Sequence, residues 1–127
     1  DGKIEQLGAP DELYNAPQTR FAADFLGFQN IFEVEDQTIV GKGNALPLSF
    51  QTKARYLAWR PGAVKLEKGK YEGKIKSVSF AGEQREFVIE TPIGQIKATT
   101  PAANLPRQIG EIIRFDLPSE GVCELRE

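Results

Sequence analysis

Four Gly-Lys pairs are the residues whose types could form a phosphate-binding loop. Such a loop needs a Lys followed by Ser or Thr, so that backbone N–H groups and the ammonium hold phosphates while the hydroxyl binds Mg²⁺. The pairs lie at residues 2–3, 41–42, 69–70 and 73–74, and the residues after them are Ile4, Gly43, Tyr71 and Ile75. Because no pair is followed by a hydroxyl residue, the sequence predicts no nucleotide site of this kind within its 127 residues.

Histidine and cysteine usage limits the remaining catalytic chemistry. The sequence contains no histidine, so it lacks the commonest general base and the commonest metal ligand. Cys123 is the only cysteine, which excludes an internal disulfide and a cysteine cluster for zinc. We expect Cys123 to be a small residue of a strand; the alternative is a reactive thiol, which would need a lowered pKa.

Carboxylates are the other residues that could carry acid–base or metal chemistry. Glu33, Glu35 and Asp36 lie close together in the sequence, as do Asp116 and Glu120. We expect them to form a solvated surface. The alternative is a metal or substrate site, which would need perturbed pKa values that a sequence does not locate.

The triplet Trp59-Arg60-Pro61 is a candidate interface or regulatory site. A lone Trp in an apolar strand usually packs inside, so core packing is the first interpretation of Trp59. The alternative is an anchor for a partner or a ligand, because Trp and Arg are enriched at binding hot spots.

Composition indicates one folded domain, or one domain with part of another. Hydrophobic residues make up 40% of the chain and charged residues 27%. This composition is that of a folded globular protein, and neither of a disordered nor of a membrane-spanning one. The net charge is −2, and the densest basic cluster, "KLEKGKYEGKIK", is interrupted by Glu67 and Glu72. We expect this cluster to be a solvated strand-loop-strand face, with contact to an anionic partner as the alternative.

The first 27 residues predict a short strand over residues 2–7 and two short helices in "DELYN" and "RFAADFLG". Asp11 and Thr19 can cap the helices, since a side-chain oxygen there accepts bonds from free backbone N–H groups. The second helix has a broad apolar face formed by Phe21, Ala22, Phe25 and Leu26. A unit this small cannot bury that face alone. It must therefore dock on the β-rich remainder, on a partner chain or on another domain.

From residue 28 onward the apolar residues follow the period of two that is typical of strands. Phe87 and Ile89 alternate with charged neighbours, and Ile113, Phe115 and Leu117 share one face of a later strand. Turn signals recur about every 8 to 12 residues, which indicates an all-β sandwich or small barrel. The sequence thus predicts a mainly β domain over residues 28–127.

The opening "DGKIEQLGAPDELYNAPQTRFAADFLGFQNIF" resembles the end of the nucleotide-binding domain of importer-type ABC transporter ATPases. The family pattern is G-x-I-x-Q-x-G-x-P-x-E-(L/I)-Y-x-x-P-x-x-x-F-x-A-x-F-(L/I)-G-x-x-N. The matching residues are Gly2, Ile4, Gln6, Gly8, Pro10, Glu12, Leu13, Tyr14, Pro17, Phe21, Ala23, Phe25, Leu26, Gly27 and Asn30. The resemblance implies that residues 1–27 are the tail of that domain. The residues it implies to dock on the rest of the domain are Leu13, Tyr14, Phe21, Phe25 and Leu26.

The remainder, residues 28–127, resembles the accessory β domain of the same family, called TOBE, which has an OB-like fold. The matching segments are "AWRPG", "GKIKSV" and "GEIIRFDLP", in the order that the family has them. Gly62 stands where the family usually has an acidic residue after Arg-Pro. The resemblance therefore implies no contact through a carboxylate at that position.

This resemblance implies a regulatory and dimerisation domain of the ATP-binding subunit of an ABC importer, in the cytoplasm at the inner face of the cell membrane. The implied partners are a second ATPase subunit and the membrane permease subunits. ATP and Mg²⁺ would be bound by the parent chain, whose phosphate loop, signature sequence and switch histidine would precede these residues, so this part alone is expected to be neither an enzyme nor a cofactor site. The expected solute is iron or an oxyanion, with a sugar or a polyamine as alternatives.

Two other hypotheses remain open. One is a stand-alone OB-type domain that binds a small anion or an oligonucleotide. Against it, the balance of charge is acidic, no basic groove is indicated, and aromatic residues do not interleave with Lys and Arg, so no nucleic-acid partner is expected. The other is a structural β domain whose fold carries no activity.

Overall fold

Nine antiparallel strands make up the part of the chain that the computed structural model describes, residues 30–101 and 107–125. They are β1 Asn30–Glu35, β2 Thr38–Gly41, β3 Asn44–Pro47, β4 Tyr56–Trp59, β5 Lys65–Ala81, β6 Gln84–Thr91, β7 Gly94–Pro101, β8 Ile112–Asp116 and β9 Val122–Leu125. A single 3₁₀ turn, Pro61–Ala63, joins β4 to β5. The mainly β fold is confirmed and is consistent with an OB-like domain. The strand and two helices predicted for residues 1–27 lie outside the described residues.

The strands form two sheets that the chain enters in turn. The five-stranded sheet has the order β3-β2-β1-β4-β9, and the four-stranded sheet has the order β7-β6-β5-β8. The chain therefore builds most of the first sheet, then all of the second, and returns to pair β9 with β4. That return ties the end of the described chain to the sheet in which it begins.

The main core lies between the two sheets and draws side chains from both. Trp59 of β4 is its largest fully buried side chain. The alternating strands predicted from the sequence supply the opposite side, with buried Phe87, Ile89, Ile113, Phe115 and Leu117. Full burial of each such side chain is worth about 1.5 to 3 kcal/mol, so these strands carry much of the stability.

Strand β5 is continuous but carries a bulge opposite β8. Leu66 and Tyr71 both lie opposite Phe115, so residues 67–70 are extruded from the ladder. Gly69 has a φ of 105° there, and an added Cβ would lie 2.4 Å from the carbonyl oxygen of Phe115. Only glycine tolerates both conditions. The cluster predicted as strand, loop and strand is therefore one strand with a tight four-residue bulge.

Polar side chains link segments that belong to different sheets. Trp59 donates its Nε1–H to the carbonyl of Pro118 at 2.8 Å, and Asn44 donates to the carbonyl of Pro92 at 3.0 Å. The Tyr71 hydroxyl donates to the carbonyl of Pro47, which ends β3. The bonds of Trp59 and Tyr71 satisfy part-buried polar groups, as burial requires, whereas the Asn44 bond is exposed.

Candidate functional site

The outer face of the five-stranded sheet carries a second apolar cluster, which we call the outer-face patch. It consists of Ile31, Tyr56, Ala58, Cys123 and Leu125. The register places Ile31, Ala58 and Cys123 in one row across β1, β4 and β9, and Tyr56 beside Leu125 in the next row. Side chains in such rows lie on the same side of a sheet. The patch therefore faces away from the main core.

Three residues of the outer-face patch, Ala58, Cys123 and Leu125, are buried even though they lie on the outside of a sheet, and Ile31 and Tyr56 are half-buried. Ala58 is 0% exposed and Leu125 is 1% exposed. Burial raises the pKa of the Cys123 thiol, and the nearby Arg60 guanidinium opposes this with a smaller lowering effect. A protonated thiol is a poor nucleophile, so Cys123 is the strand residue that the sequence predicts rather than a reactive centre.

The three residues of the Trp59-Arg60-Pro61 triplet have different surroundings in the structure. Trp59 has no exposed surface and faces the main core, so it is a core residue. Arg60 follows it at the end of β4, half-buried and close enough to Cys123 to affect its pKa. Pro61 begins the 3₁₀ turn. Arg60 and Pro61 thus form a corner beside the outer-face patch, and their contact with a partner stays a prediction.

Asn30 is a completely buried polar residue that joins the two sheets. Its Nδ2 group donates to the carbonyl of Lys97 at 2.8 Å, and its Oδ1 accepts from the Lys97 N–H at 2.8 Å. Lys97 lies in β7, an edge strand of the four-stranded sheet. The side-chain amide therefore imitates a neighbouring strand and closes one position of that edge. We call this the Asn30 clamp; the sequence analysis matched Asn30 to the family pattern but did not predict these bonds.

The candidate carboxylates do not converge on one site. Glu33 and Glu35 lie in β1 of the five-stranded sheet, whereas Asp116 ends β8 of the other sheet. Within residues 30–101 and 107–125, no group of three or more Cys, Asp or Glu residues is arranged to hold a metal ion. Asp116 instead acts on Tyr71, whose pKa is raised first by burial and then by that carboxylate.

Charges on the four-stranded sheet alternate in sign. The ladder places Lys74 opposite Glu90, and Glu72 opposite Arg114. At the bulge, the Arg107 guanidinium forms a two-pronged ion pair with Glu67 at 2.5 and 2.8 Å, which lowers the pKa of that carboxyl. This pattern is that of a solvated face, and it offers no continuous basic track for a nucleic-acid backbone.

The residues predicted to dock on an ATPase domain lie outside the described residues. They are Leu13, Tyr14, Phe21, Phe25 and Leu26. The described part of the chain begins at Asn30, next to Ile31 of the outer-face patch. In the part of the chain that the structure describes, no helix combines the length and apolar composition needed to cross a membrane.

Comparison with known proteins places similar sequences among import ATP-binding proteins. No protein-family model matches the chain. The "Fe(3+) ions import ATP-binding protein FbpC" of Brucella suis biovar 1 (strain 1330) is 32% identical over 130 residues, covering 91% of this chain and 37% of that protein. The "Spermidine/putrescine import ATP-binding protein PotA" of Chromobacterium violaceum is 29% identical over 126 residues, covering 83% and 35%. A second FbpC, from Rhizobium meliloti (strain 1021), is 30% identical over 115 residues, covering 80% and 33%. The chain thus spans little more than a third of the length of the curated relatives it matches.

Proposed function

The chain is a homologue of importer-type ABC transporter ATP-binding proteins and fits the C-terminal part of one, and from this premise we propose that residues 28–127 form its regulatory and dimerisation domain. The observation that carries the proposal is the two-sheet β fold that follows a segment with the pattern of an ATPase-domain tail. In this role the domain holds two ATP-binding subunits together while their catalytic halves open and close during transport.

ATP chemistry belongs to the parent protein in this proposal. The Gly-Lys pairs of the chain lack the hydroxyl residue that a phosphate loop requires. ATP and Mg²⁺ are therefore bound by the preceding nucleotide-binding domain, to which residues 1–27 contribute the tail. Leu13, Tyr14, Phe21, Phe25 and Leu26 dock on that domain, and the complete subunit works with permease subunits at the inner face of the membrane.

The transported solute is selected outside this domain. Relatives named for Fe(3+) ions and for spermidine or putrescine resemble this region equally well, at 32% and 29% identity. We therefore propose ferric iron, with a polyamine as the alternative. The domain's own contribution is the contact between subunits, with Arg60 and Pro61 at the corner that we assign to it.

Sedimentation of the chain tests the dimerisation role. We expect a reversible monomer–dimer equilibrium as the protein concentration rises, and a weaker dimer for Arg60→Ala, because truncation of an interface Arg commonly costs binding energy. Lys53→Ala, at an exposed loop position, is the matched control and should sediment like the original chain. A chain that stays monomeric at the highest concentration would remove the dimerisation role.

A further inference from the structure

Strand β5 extends beyond the strand β8 that pairs with it, and the last part of β5 has an open edge. β8 begins opposite Lys74, and the Ile75 N–H donates to the Glu111 carbonyl at 2.9 Å just before it. Among the described residues, those numbered 77–81 in β5 pair with β6 alone. This stretch is about 17 Å long, and one of its two edges has no neighbouring strand.

Two residues of this stretch direct their backbone groups to the open edge. The hairpin of β5 and β6 closes on the pair Ala81–Gln84, and Gly82, with a φ of 68°, begins its two-residue turn. The closing pair of such a hairpin is hydrogen-bonded, and bonded pairs alternate with non-bonded pairs along the ladder. Val78 and Phe80 therefore belong to non-bonded pairs. Their N–H and C=O groups point away from β6, to the side on which an added strand could pair.

A groove of about 330 Å³ lies beside this edge, and we call it the β5 groove. Its described lining consists of Val78, Phe80, Arg85, Arg107 and Gln108. Val78 packs against the main core, whereas Phe80 is 67% exposed. The guanidinium carbon of Arg85 lies 5.3 Å from the centre of the Phe80 ring, within the range of a cation–π contact. The described lining thus combines an exposed aromatic ring with two guanidinium groups and contains no carboxylate.

The two edges of the four-stranded sheet differ. At β7 the Asn30 clamp occupies the backbone groups of Lys97, and Pro101 ends the strand without an N–H. At Val78 and Phe80, the described part of the chain provides no such partner. An open strand edge beside an apolar surface is where a sheet accepts an extended segment of another chain. We propose that the β5 groove binds an extended, acidic segment of a partner protein as an added strand.

Charge and side-chain alternation specify the chemistry of that segment. An apolar residue of the added strand would lie beside Phe80, since aromatic and β-branched residues pair well across strands. Residues two positions away point to the same face, so carboxylates there would approach Arg85 and Arg107. Arg107 binds Glu67 through Nε and Nη2, which uses two of the five N–H donors of a guanidinium. Its other donors can bind a second carboxylate. This inference goes beyond the subunit contact and does not depend on the proposed function.

A short peptide tests the proposal on the complete 127-residue chain. The probe is a seven-residue peptide with blocked ends, in which Thr alternates with Glu, Val and Glu. Solvent exchange of the backbone N–H groups is followed by NMR. Exchange at Val78 and Phe80 should slow about tenfold at a peptide concentration about ten times Kd, because only the unbound chain then exchanges there. The Lys97 N–H, which the Asn30 clamp holds at the opposite edge, is the internal control and should keep its rate.

Variants of the groove test the charge requirement. Arg85→Gln should weaken peptide binding about threefold, since it removes a charge and keeps a polar side chain. Arg114→Gln is the matched control, because Arg114 is an exposed residue of β8 outside the described lining, and its Kd should equal that of the original chain. Trp59 emission reports whether each variant keeps its core; if Arg85→Gln changes that emission, Arg107→Gln takes its place. A peptide with Lys in place of Glu should bind about tenfold more weakly.

Three results would overturn the proposal. The first is unchanged exchange at Val78 and Phe80 at the solubility limit of the peptide. The second is equal binding of the Glu and Lys peptides, which would remove the acidic character of the partner. The third is slower exchange without peptide as the protein concentration rises, which would assign the edge to a second copy of this chain. None of these results bears on the sedimentation of Arg60→Ala, so failure of the peptide site and failure of the proposed function remain distinguishable.

Discussion

The Asn30 side chain makes, at one position of the edge strand β7, the two hydrogen bonds that a neighbouring strand would make. Edge strands present unpaired N–H and C=O groups that invite pairing with other chains. In β7 the edge groups of Lys97 are occupied by the Asn30 amide, and Pro101, at the end of the strand, has no N–H to offer. A single side chain and a proline thus limit the free edge of the four-stranded sheet.

Asn30→Ala should destabilise the domain strongly. The substitution leaves the donor and the acceptor of Lys97 without partners, and each unsatisfied buried group costs about 1 to 3 kcal/mol. We expect a loss of about 2 to 3 kcal/mol in the free energy of unfolding, measured by urea denaturation with Trp59 emission as the signal. Asn44→Ala removes an exposed bond to Pro92, and the control should lose under about 1 kcal/mol, since water can replace that bond. Equal losses for the two variants would show that the Asn30 clamp is not stabilising.

The raised pKa values of Cys123 and Tyr71 lead us to expect that the stability of the domain falls in alkaline solution. Burial raises the pKa of Cys123 above its ordinary value of 9.0 and that of Tyr71 above 10.0. Between the ordinary and the raised pKa, the unfolded chain has lost protons that the folded chain still holds, so deprotonation favours unfolding. The contribution of these two groups to the free energy of unfolding should therefore be constant below about pH 8 and fall as the pH rises past 9 and 10.

Urea denaturation at a series of pH values measures this effect. The fall should be smaller in Cys123→Ala and smaller again when Tyr71→Phe is added, because each variant removes one of the two groups. Tyr71→Phe also loses the bond that the protonated hydroxyl donates to the Pro47 carbonyl, so it lowers stability at neutral pH as well. A slope that survives both substitutions would place its origin elsewhere in the chain.

At the scale of elements, the bulge in β5 requires glycine at position 69, so we expect substitutions there to destabilise the domain. An added Cβ at Gly69 would lie 2.4 Å from the Phe115 carbonyl oxygen and 2.6 Å from the Asp116 side chain, so the backbone of β8 would have to move. Gly69→Ala should lower the free energy of unfolding by about 3 kcal/mol, from the clash and the positive φ together.

Gly43→Ala is the control for the backbone conformation alone. Gly43 also has a positive φ, 77°, but an added Cβ would meet nothing within 4 Å. Its loss should stay near 1 kcal/mol, the cost of a left-handed conformation for an L-residue. Thermal unfolding of the two variants separates the contributions, and similar losses would mean that β8 adapts to the added methyl group.

Alternation along strands is the part of this fold that the sequence predicts best. In β6 and β8 the buried residues Phe87, Ile89, Ile113 and Phe115 occupy every second position, because each strand has one face on the core and one in water. The bulge of β5 was harder, since two residues with positive φ interrupt the ladder and only the partner strand shows that pairing resumes.

The outer-face patch and the Asn30 clamp could not be predicted because they depend on register between distant strands. Ala58 and Cys123 are 65 positions apart in the sequence, and nothing local indicates that they face each other. The same holds for Asn30 and Lys97. Of the triplet, the core position of Trp59 followed from its apolar strand, whereas the nearness of Arg60 to Cys123 is seen only in three dimensions.

At the scale of the whole molecule, the proposed function predicts that the 127-residue chain does not respond to nucleotide. The melting temperature of the 127-residue chain should not change with ATP and Mg²⁺, since a ligand stabilises a protein only when it binds the folded state. A parent subunit that includes the nucleotide-binding domain should show a clear increase under the same conditions. A clear increase for the 127-residue chain itself would contradict our proposal that a preceding nucleotide-binding domain binds the ATP.

The Asn30 clamp also has a mechanical consequence. The residue through which the chain enters the β domain is fastened to both sheets, by its own strand on one side and by Lys97 on the other. A force that reaches Asn30 would therefore be shared between the two sheets instead of being borne by β1 alone. A domain that rotates while attached at Asn30 would thus move both sheets together.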